Sequence, residues 1–432
     1  MSTLKLSCQP YKGTRDFYPE DMRLRNWFFG KIKNELELAA FEEYDGPMLE
    51  SLDIYAAKSG AELVREQTYT FEDRGQRLLT IRPEMTPTVA RMVAARIGAL
   101  NFPLRWYSIQ NFYRYERPQR GRLREFWQIN ADIFGCDGYE ADLEIISTAI
   151  NLLRIFGADE SMFRVHINNR RFFADVIAAI AGCDADGSKA VSKVIDRKGK
   201  IPREEYEKEL VTLGLDSDKI AKIDALYSMS VDEAAALCPD SAGSKELLEL
   251  FTALRASGLD KYCVFDFGII RGLDYYTGTV FEVFDEAPEN NRAMFGGGRY
   301  DNLVGMFVNN TNISGVGFGF GDVTLENFLT THKLIPENLG ASQRVLITRF
   351  DDVPYENYVK LAATLREAGV SAMCYLGSKK FGKQIDYAAK AGCTHVIIMG
   401  GSELASGMVK IKNLTTREET TIEIANIADY FK

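Results

Sequence analysis

The sequence predicts a two-domain protein of mixed α/β and α+β class: an antiparallel-sheet core carrying a helical insertion, then a small α/β domain. Three observations lead there. The chain has 432 residues, more than one hydrophobic core usually organises. Residues 104–135 read as a long hairpin, with aromatic and β-branched residues flanking an arginine-rich turn. Beyond about residue 343, short apolar strands alternate with helical segments, as a small α/β unit requires. The expected domains are 1–334 and 343–432, divided where Pro336 and Gly340 interrupt the pattern.

Taken in order, Pro19-Glu20-Asp21 opens a helix through about Ala40, its acidic first turn suiting the positive end of the helix dipole. Trp27, Phe28, Ile32, Leu36 and Leu38 are its apolar positions. Residues 41–49 read as extended, and 78–82 as a strand. Thr86-Pro87 is expected to cap a helix over 88–99. The hairpin 104–116 and 124–135 follows, then a helix over 141–156. From about 170 to 258 the period is helical and the charge dense, predicting an insertion. Strands return over 264–284 and 314–320. In the last domain, strands near 345–347, 372–375 and 395–399 alternate with helices near 354–369 and 379–391.

Composition excludes several function classes. No apolar run approaches the roughly 18 residues that span a membrane. Met1 to Pro10 lack a basic start and an apolar stretch, so no secretory signal is expected and the expected location is cytoplasmic. The seven cysteines form no CxxC pair and the three histidines no HxxH pattern, so reduced thiols and no structural metal are expected. A net charge of −9 leaves room for a nucleic-acid partner, because local patches decide such binding. One patch stands out: Arg114, Arg117, Arg120, Arg122 and Arg124 fall within eleven residues.

Five segments carry candidate chemistry. In Arg82-Pro83-Glu84-Met85-Thr86, a strand end leaves Glu84 exposed beside a helix N-terminus, where it could receive an ammonium group; simple capping is the alternative. Period-2 alternation places Arg114 and Glu116 on one face of the first hairpin strand, and Phe126, Gln128, Asn130 and Asp132 on one face of the second. So many polar groups suit a polar ligand, or a solvent-facing sheet. Arg271-Gly272-Leu273-Asp274-Tyr275-Tyr276 could clamp an anion or be a salt-bridged loop. Phe295-Gly296-Gly297-Gly298-Arg299-Tyr300-Asp301 admits close approach of a backbone or ligand, or is a flexible loop. Gly315-Val316-Gly317-Phe318-Gly319-Phe320-Gly321 strips one strand face bare, for a planar ring or a closely packed helix. There is no GxSxG elbow, no P-loop and no Cys–His pairing. Arginines, carboxylates and bare strands fit group transfer between two bound substrates by positioning and charge stabilisation.

Together, in this order, the segments resemble histidyl-tRNA synthetases, which are class II aminoacyl-tRNA synthetases. Arg114 to Phe126 looks like class II motif 2, and Gly315 to Gly321 like the glycine strand of motif 3. Arg271 to Tyr276 is similar to a segment peculiar to the histidine enzymes, and Gly13-Thr14-Arg15-Asp16 also matches in place. The resemblance covers essentially the whole chain. It implies activation of L-histidine with ATP, accompanied by Mg2+, and transfer to tRNA(His). Glu84 and Thr86 would hold the histidine ammonium group, with Met85 also in the histidine site; Gln128, Asp132, Tyr275 and Tyr276 would line the pocket and read the imidazole. Arg114 and Arg271 would act on the carboxylate and the ATP α-phosphate, with Glu116 at the adenine edge and Phe126 on its face. The loop bearing Arg117, Gln119, Arg120 and Arg122 would meet the tRNA acceptor end. Residues 1–49 resemble motif 1, which implies a homodimer, and the last domain resembles the family's anticodon-binding domain.

Two positions depart from the family. Asp132 stands where a glutamate is usual, and Thr324 where motif 3 ordinarily has an arginine on the γ-phosphate side. The second departure keeps an alternative open: a synthetase-like paralogue such as the regulatory subunit of ATP phosphoribosyltransferase.

Overall fold

The structure, a computed structural model, describes residues 6–56, 66–269, 275–290, 292–308, 311–337, 339 and 343–431. It divides into two compact units, 1–335 and 336–432.

In the first unit the strands are β1 (Glu42–Glu43), β2 (Leu49–Ser51), β3 (Tyr69–Glu72), β4 (Leu78–Ile81), β5 (Leu104–Tyr113), β6 (Glu125–Phe134), β7 (Phe163–Asn169), β8 (Cys263–Phe265), β9 (Thr279–Asp285), β10 (Ala293–Arg299) and β11 (Gly315–Gly321). Among the described residues, eight of them form one sheet in the order β1-β5-β6-β11-β10-β9-β7-β8, and β2-β4-β3 form a small second sheet. The large sheet is antiparallel except at its edges, where β1 runs parallel to β5 and β8 to β7.

One face of the large sheet is apolar: Ile129, Ala131, Ile133, Phe281, Val283, Phe318 and Phe320 are buried in one cluster with side chains from several α-helices, three of them outside the 170–258 insertion. Those three are Pro19–Leu38, Tyr139–Arg154 and Asp322–Thr331. The first starts on Pro19, and the Tyr18 amide donates to the Asp21 carboxylate at 2.9 Å. It buries Phe28, Ile32 and Leu36, spaced by four as one helix face demands, while Leu38 is exposed. The opposite face carries polar groups and a smaller apolar cluster built from Met85, Val89, Phe112, Phe134, Tyr275 and Tyr300.

The hairpin expectation needs one correction. β5 and β6 pair from Leu104↔Phe134 to Tyr113↔Glu125, so Arg114 and Glu116 lie beyond the strand and do not share a strand face. The chain leaves the ladder because Gln119 and Arg122 close a tight turn of their own, with Gly121 at φ +77°. Residues expected as one return over 264–284 are two strands, β8 and β9. Between β7 and β8, six α-helices among the described residues run from Arg170 to Ala256. The first is capped by Asn169, whose side chain accepts from the Arg171 and Phe172 amides at 2.8 and 3.2 Å.

The second unit holds β12 (Arg344–Ile347), β13 (Ser371–Cys374), β14 (His395–Ile398), β15 (Met408–Asn413) and β16 (Glu419–Glu423). They form one sheet in the order β13-β12-β14-β15-β16, the first three parallel and the last two an antiparallel hairpin. Helices Tyr355–Glu367 and Phe381–Lys390 lie between the parallel strands in sequence, as βαβ units require.

Candidate active site

The site is built on the polar face of the large sheet. Beyond β4, Arg82 is only 3% exposed. Its Nη1 donates to Gly46 O and its Nη2 to Gln110 Oε1, both at 2.7 Å, and its Nε donates to Asn111 O at 3.0 Å. A buried guanidinium satisfied in three directions fixes the loop that follows. Glu84, on that loop, is buried rather than exposed as the sequence suggested, and Tyr275 Oη donates to its Oε2 at 3.0 Å. Thr86 does not act as the helix cap. The helix is Thr86–Ala95, not 88–99: it begins two residues earlier than expected, with Met85 as N-cap and no side-chain capping bond.

β6 supplies the second group. Asp132 is buried and accepts a hydrogen bond from Tyr300 Oη. Burial pushes the Asp132 carboxyl from 3.8 up to about 7, and the Tyr300 hydrogen bond opposes that rise. Gln128 Oε1 and Asn130 Nδ2 are buried without a hydrogen-bond partner among the described residues. An unsatisfied buried polar atom typically costs about 1–3 kcal/mol, so a polar ligand on this face would recover stability.

The glycines of β11 make room for these side chains. Gly317 pairs with Asp132, Gly319 with Asn130 and Gly321 with Gln128. A Cβ on Gly317 would overlap the Asp132 carboxylate and approach Ala131 O to 2.6 Å; one on Gly319 would overlap the Gln128 amide. On β10, a Cβ on Gly298 would come within 2.9 Å of the Tyr276 ring. Part of the bare lane is thus already filled by β6 side chains and Tyr276, neither by a helix nor wholly by open space. Burial pushes the Tyr275 and Tyr276 hydroxyls up, with Glu84 adding to both shifts.

Arg114 lies beside this pocket. Its Nε donates to Pro83 O at 2.8 Å, and its guanidinium sits 5.3 Å from the centre of the Phe126 ring, which stacks on Phe112 at 5.8 Å. Glu116 pairs with Arg122 at 3.4 Å. The structure brings Glu84, Tyr275 and Tyr276 together and sets Tyr276 near Asp132, with Gln128 on the same β6 face and Arg114 on the Phe126 ring. Arg117, Gln119, Arg120 and Arg122 occupy the exposed turn. Arg271, with Gly272, Leu273 and Asp274, lies outside the described residues.

Sequence reasoning missed three supports. Arg82 holds the Glu84 loop. Tyr300 holds Asp132, and its signal was available, since a tyrosine beside three glycines in a strand must place its hydroxyl somewhere. Arg299 is 2% exposed and pairs with Asp142 at 2.9 Å while donating to Cys136 O and Gly138 O at 2.8 Å. It ties β10 to the helix Tyr139–Arg154. Burial pushes Asp142 up to about 6, with Arg299 pulling against it.

The N-terminal match also joins the site. Gly13 O accepts from the Arg124 and Glu125 amides at 2.9 and 3.0 Å. Arg15 pairs with Asp322 at 2.6 Å, and the other Asp322 oxygen accepts from the Trp127 amide at 2.9 Å.

With this geometry in place, comparison with known proteins is direct. The histidyl-tRNA synthetase family profile matches residues 13–322, and an anticodon-binding-domain profile matches 345–432. The histidine–tRNA ligase of Leptospira biflexa is 43% identical, covering 100% of this chain and 99% of its own length. The chloroplastic/mitochondrial histidine–tRNA ligase of Arabidopsis thaliana is 34% identical over 98% of this chain and 86% of its own. The crystal structure of the Nostoc histidyl-tRNA synthetase superposes with a TM-score of 0.81 at 24% identity, covering 99% of each chain. An ATP phosphoribosyltransferase regulatory subunit/histidyl-tRNA synthetase from Bacillus halodurans gives 0.75 at 21% identity over 91% of this chain and 99% of its own. These two likenesses speak to the fold, a class II synthetase core, and do not separate enzyme from paralogue. The full-length sequence matches do: this chain belongs to the histidyl-tRNA synthetase family.

Proposed function

We propose that the site joins L-histidine to tRNA(His) at the expense of ATP, as a histidine–tRNA ligase. The observation that carries this reading is the pocket face itself. Glu84 and Asp132 are buried, Gln128 and Asn130 keep unpartnered buried atoms on the same β6 face that carries Phe126, and Arg114 sits on the Phe126 ring.

Glu84, supported by Met85 and Thr86, receives the substrate ammonium group. Gln128, Asp132, Tyr275 and Tyr276 surround the imidazole, with Asp132 accepting from a ring N–H. In the first step a histidine carboxylate oxygen attacks the ATP α-phosphorus, and pyrophosphate leaves. Beyond its Nε bond to Pro83 O, no other hydrogen bond engages the Arg114 side chain among the described residues. Its remaining donors suit oxygens of the carboxylate and α-phosphate. Arg271 is proposed to stabilise the same phosphate, with Glu116 and Phe126 at the adenine. In the second step a terminal ribose hydroxyl of tRNA attacks the acyl carbon, and AMP leaves. The exposed turn with Arg117, Gln119, Arg120 and Arg122 faces the acceptor end, where arginines favour phosphates.

Magnesium is proposed to arrive with ATP, held by its phosphates; the described residues bring no group of three His, Cys, Asp or Glu side chains together. A homodimer through residues 1–49 and a cytoplasmic location complete the reading. No described helix is long and apolar enough to cross a membrane.

Purified protein is expected to catalyse histidine-dependent exchange of pyrophosphate into ATP and then to charge tRNA with histidine. Absence of exchange would sink the ligase reading. Exchange without charging would favour the paralogue.

A further inference from the structure

A cavity of about 1080 Å³ opens on the same unit as the pocket, lined among others by the turn Gln119–Arg122, by Glu289 and Asn290, by Arg292, Ala293 and Met294, and by Thr324. On the reading above it continues from the α-phosphate, so it is where the rest of a triphosphate would lie. That anion needs positive charge, and Thr324 supplies none. Its hydroxyl donates toward Met294 O at 2.8 Å and Gly321 O at 3.0 Å, and its methyl lies 3.5 Å from where a Cβ on Gly121 would sit.

The positive charge on the lining is three arginines of unequal freedom, set against the carboxylates of Asp266, Glu282 and Glu289 elsewhere on the same wall. Arg122 is engaged by Glu116. Arg120 donates through Nε and Nη2 to Asn290 Oδ1 at 3.1 and 2.9 Å, a neutral partner that orients the guanidinium without neutralising it. Arg292 is exposed at the cavity wall, and its guanidinium has no ion pair or hydrogen bond among the described residues. Asn290 links the last two. Its carbonyl accepts from the Arg292 amide at 2.9 Å, and its side-chain nitrogen donates to Asp285 at 2.6 Å and Thr331 at 3.2 Å. One anchored residue therefore sets both arginines at the same wall, two residues from the carbonyl that Thr324 occupies.

We propose that Arg292, with Arg120 oriented by Asn290, binds the terminal phosphates of ATP in place of the charge that position 324 lacks. The proposal rests on the ligase reading, and its test separates the two. Equilibrium binding of ATP and of AMP to the full-length protein is compared for wild type, Arg292→Ala and Arg292→Lys. Arg292→Ala is expected to weaken ATP about tenfold or more and to leave AMP unchanged, with partial recovery in Arg292→Lys. In pyrophosphate exchange the same variant raises the KM for ATP and spares that for histidine, and adding Thr324→Arg to Arg292→Ala restores ATP affinity. Equal weakening of ATP and AMP, or no weakening of either, overturns the assignment. Wild type that discriminates ATP from AMP but shows no histidine-dependent exchange would retire the ligase reading while leaving Arg292 in place.

Discussion

The Tyr275 hydroxyl donates to the Glu84 carboxylate at 3.0 Å, joining positions 191 residues apart in the chain. The bond fixes one Glu84 oxygen in a pocket where both residues are buried. Tyr275→Phe is therefore expected to raise the KM for histidine several-fold, corresponding to about 1 kcal/mol for one hydrogen bond, with a smaller change in kcat. Steady-state exchange at varied histidine checks this. A change confined to kcat would argue that Tyr275 acts on the transition state instead.

If Asp132 meets the imidazole as proposed, histidine binding is a proton-linked event. Its carboxyl is raised from 3.8 to about 7, so in the free protein it holds its proton through pH 6 and loses it as pH passes 7. A ring N–H donating to it favours the ionised form, so binding near pH 6 expels a proton. Calorimetry in buffers of different ionisation enthalpy is expected to show fewer protons released by Asp132→Asn than by wild type at the same pH, which cancels the titration of the histidine ring itself. Equal release by the two would remove Asp132 from the contact. Tyr300→Phe deletes the bond that lowers this pKa, so the pH dependence is expected to move upward.

Gly317→Ala should be far more damaging than its size suggests. The new Cβ meets both a carboxylate and the Ala131 carbonyl, the latter at 2.6 Å, and backbone cannot step aside. Overpacking of this kind costs about 1–3 kcal/mol, and the displaced Asp132 is expected to weaken histidine about tenfold. Gly321→Ala is the comparison: its Cβ meets only the Thr324 hydroxyl, at 3.7 Å, and stability is expected within about 0.5 kcal/mol of wild type. Thermal melts of both variants decide it; similar losses would refute the steric account.

Arg299→Met leaves Asp142, 4% exposed, as a buried acid without its arginine. Losing one member of a buried pair typically destabilises by about 3–5 kcal/mol, whereas replacing both is often near neutral. The double variant Arg299→Met/Asp142→Leu is expected to recover most of the loss in chemical denaturation. Failure to recover would assign the damage to the Cys136 and Gly138 carbonyls that Arg299 also satisfies.

Local pattern carried much of the first unit into view. The 104–135 hairpin, the helix from Pro19 and the same-face grouping of Gln128, Asn130 and Asp132 all follow from period and turn chemistry. What local pattern does not contain is depth. Whether Glu84 is exposed depends on Tyr275 and Arg82 arriving from elsewhere, and Thr86 reads as a cap until the backbone starts its helix on Thr86 itself. The β15–β16 hairpin also escaped, because Met408–Asn413 buries only Val409 and Ile411 between lysines. The partner of Arg120 is Asn290, 170 residues away, a distance no window along the sequence reaches.

The bare lane on β11 has a consequence for changing what the enzyme accepts. Because that strand offers space and not contacts, it holds no vocabulary for naming a substrate; on the proposed function the words are written on β6 and at Tyr275 and Tyr276. Redesign for another amino acid would therefore edit Gln128 and Asp132 and leave Gly317 and Gly319 untouched. The glycines set only how large a new side chain on the neighbouring strand is allowed to be.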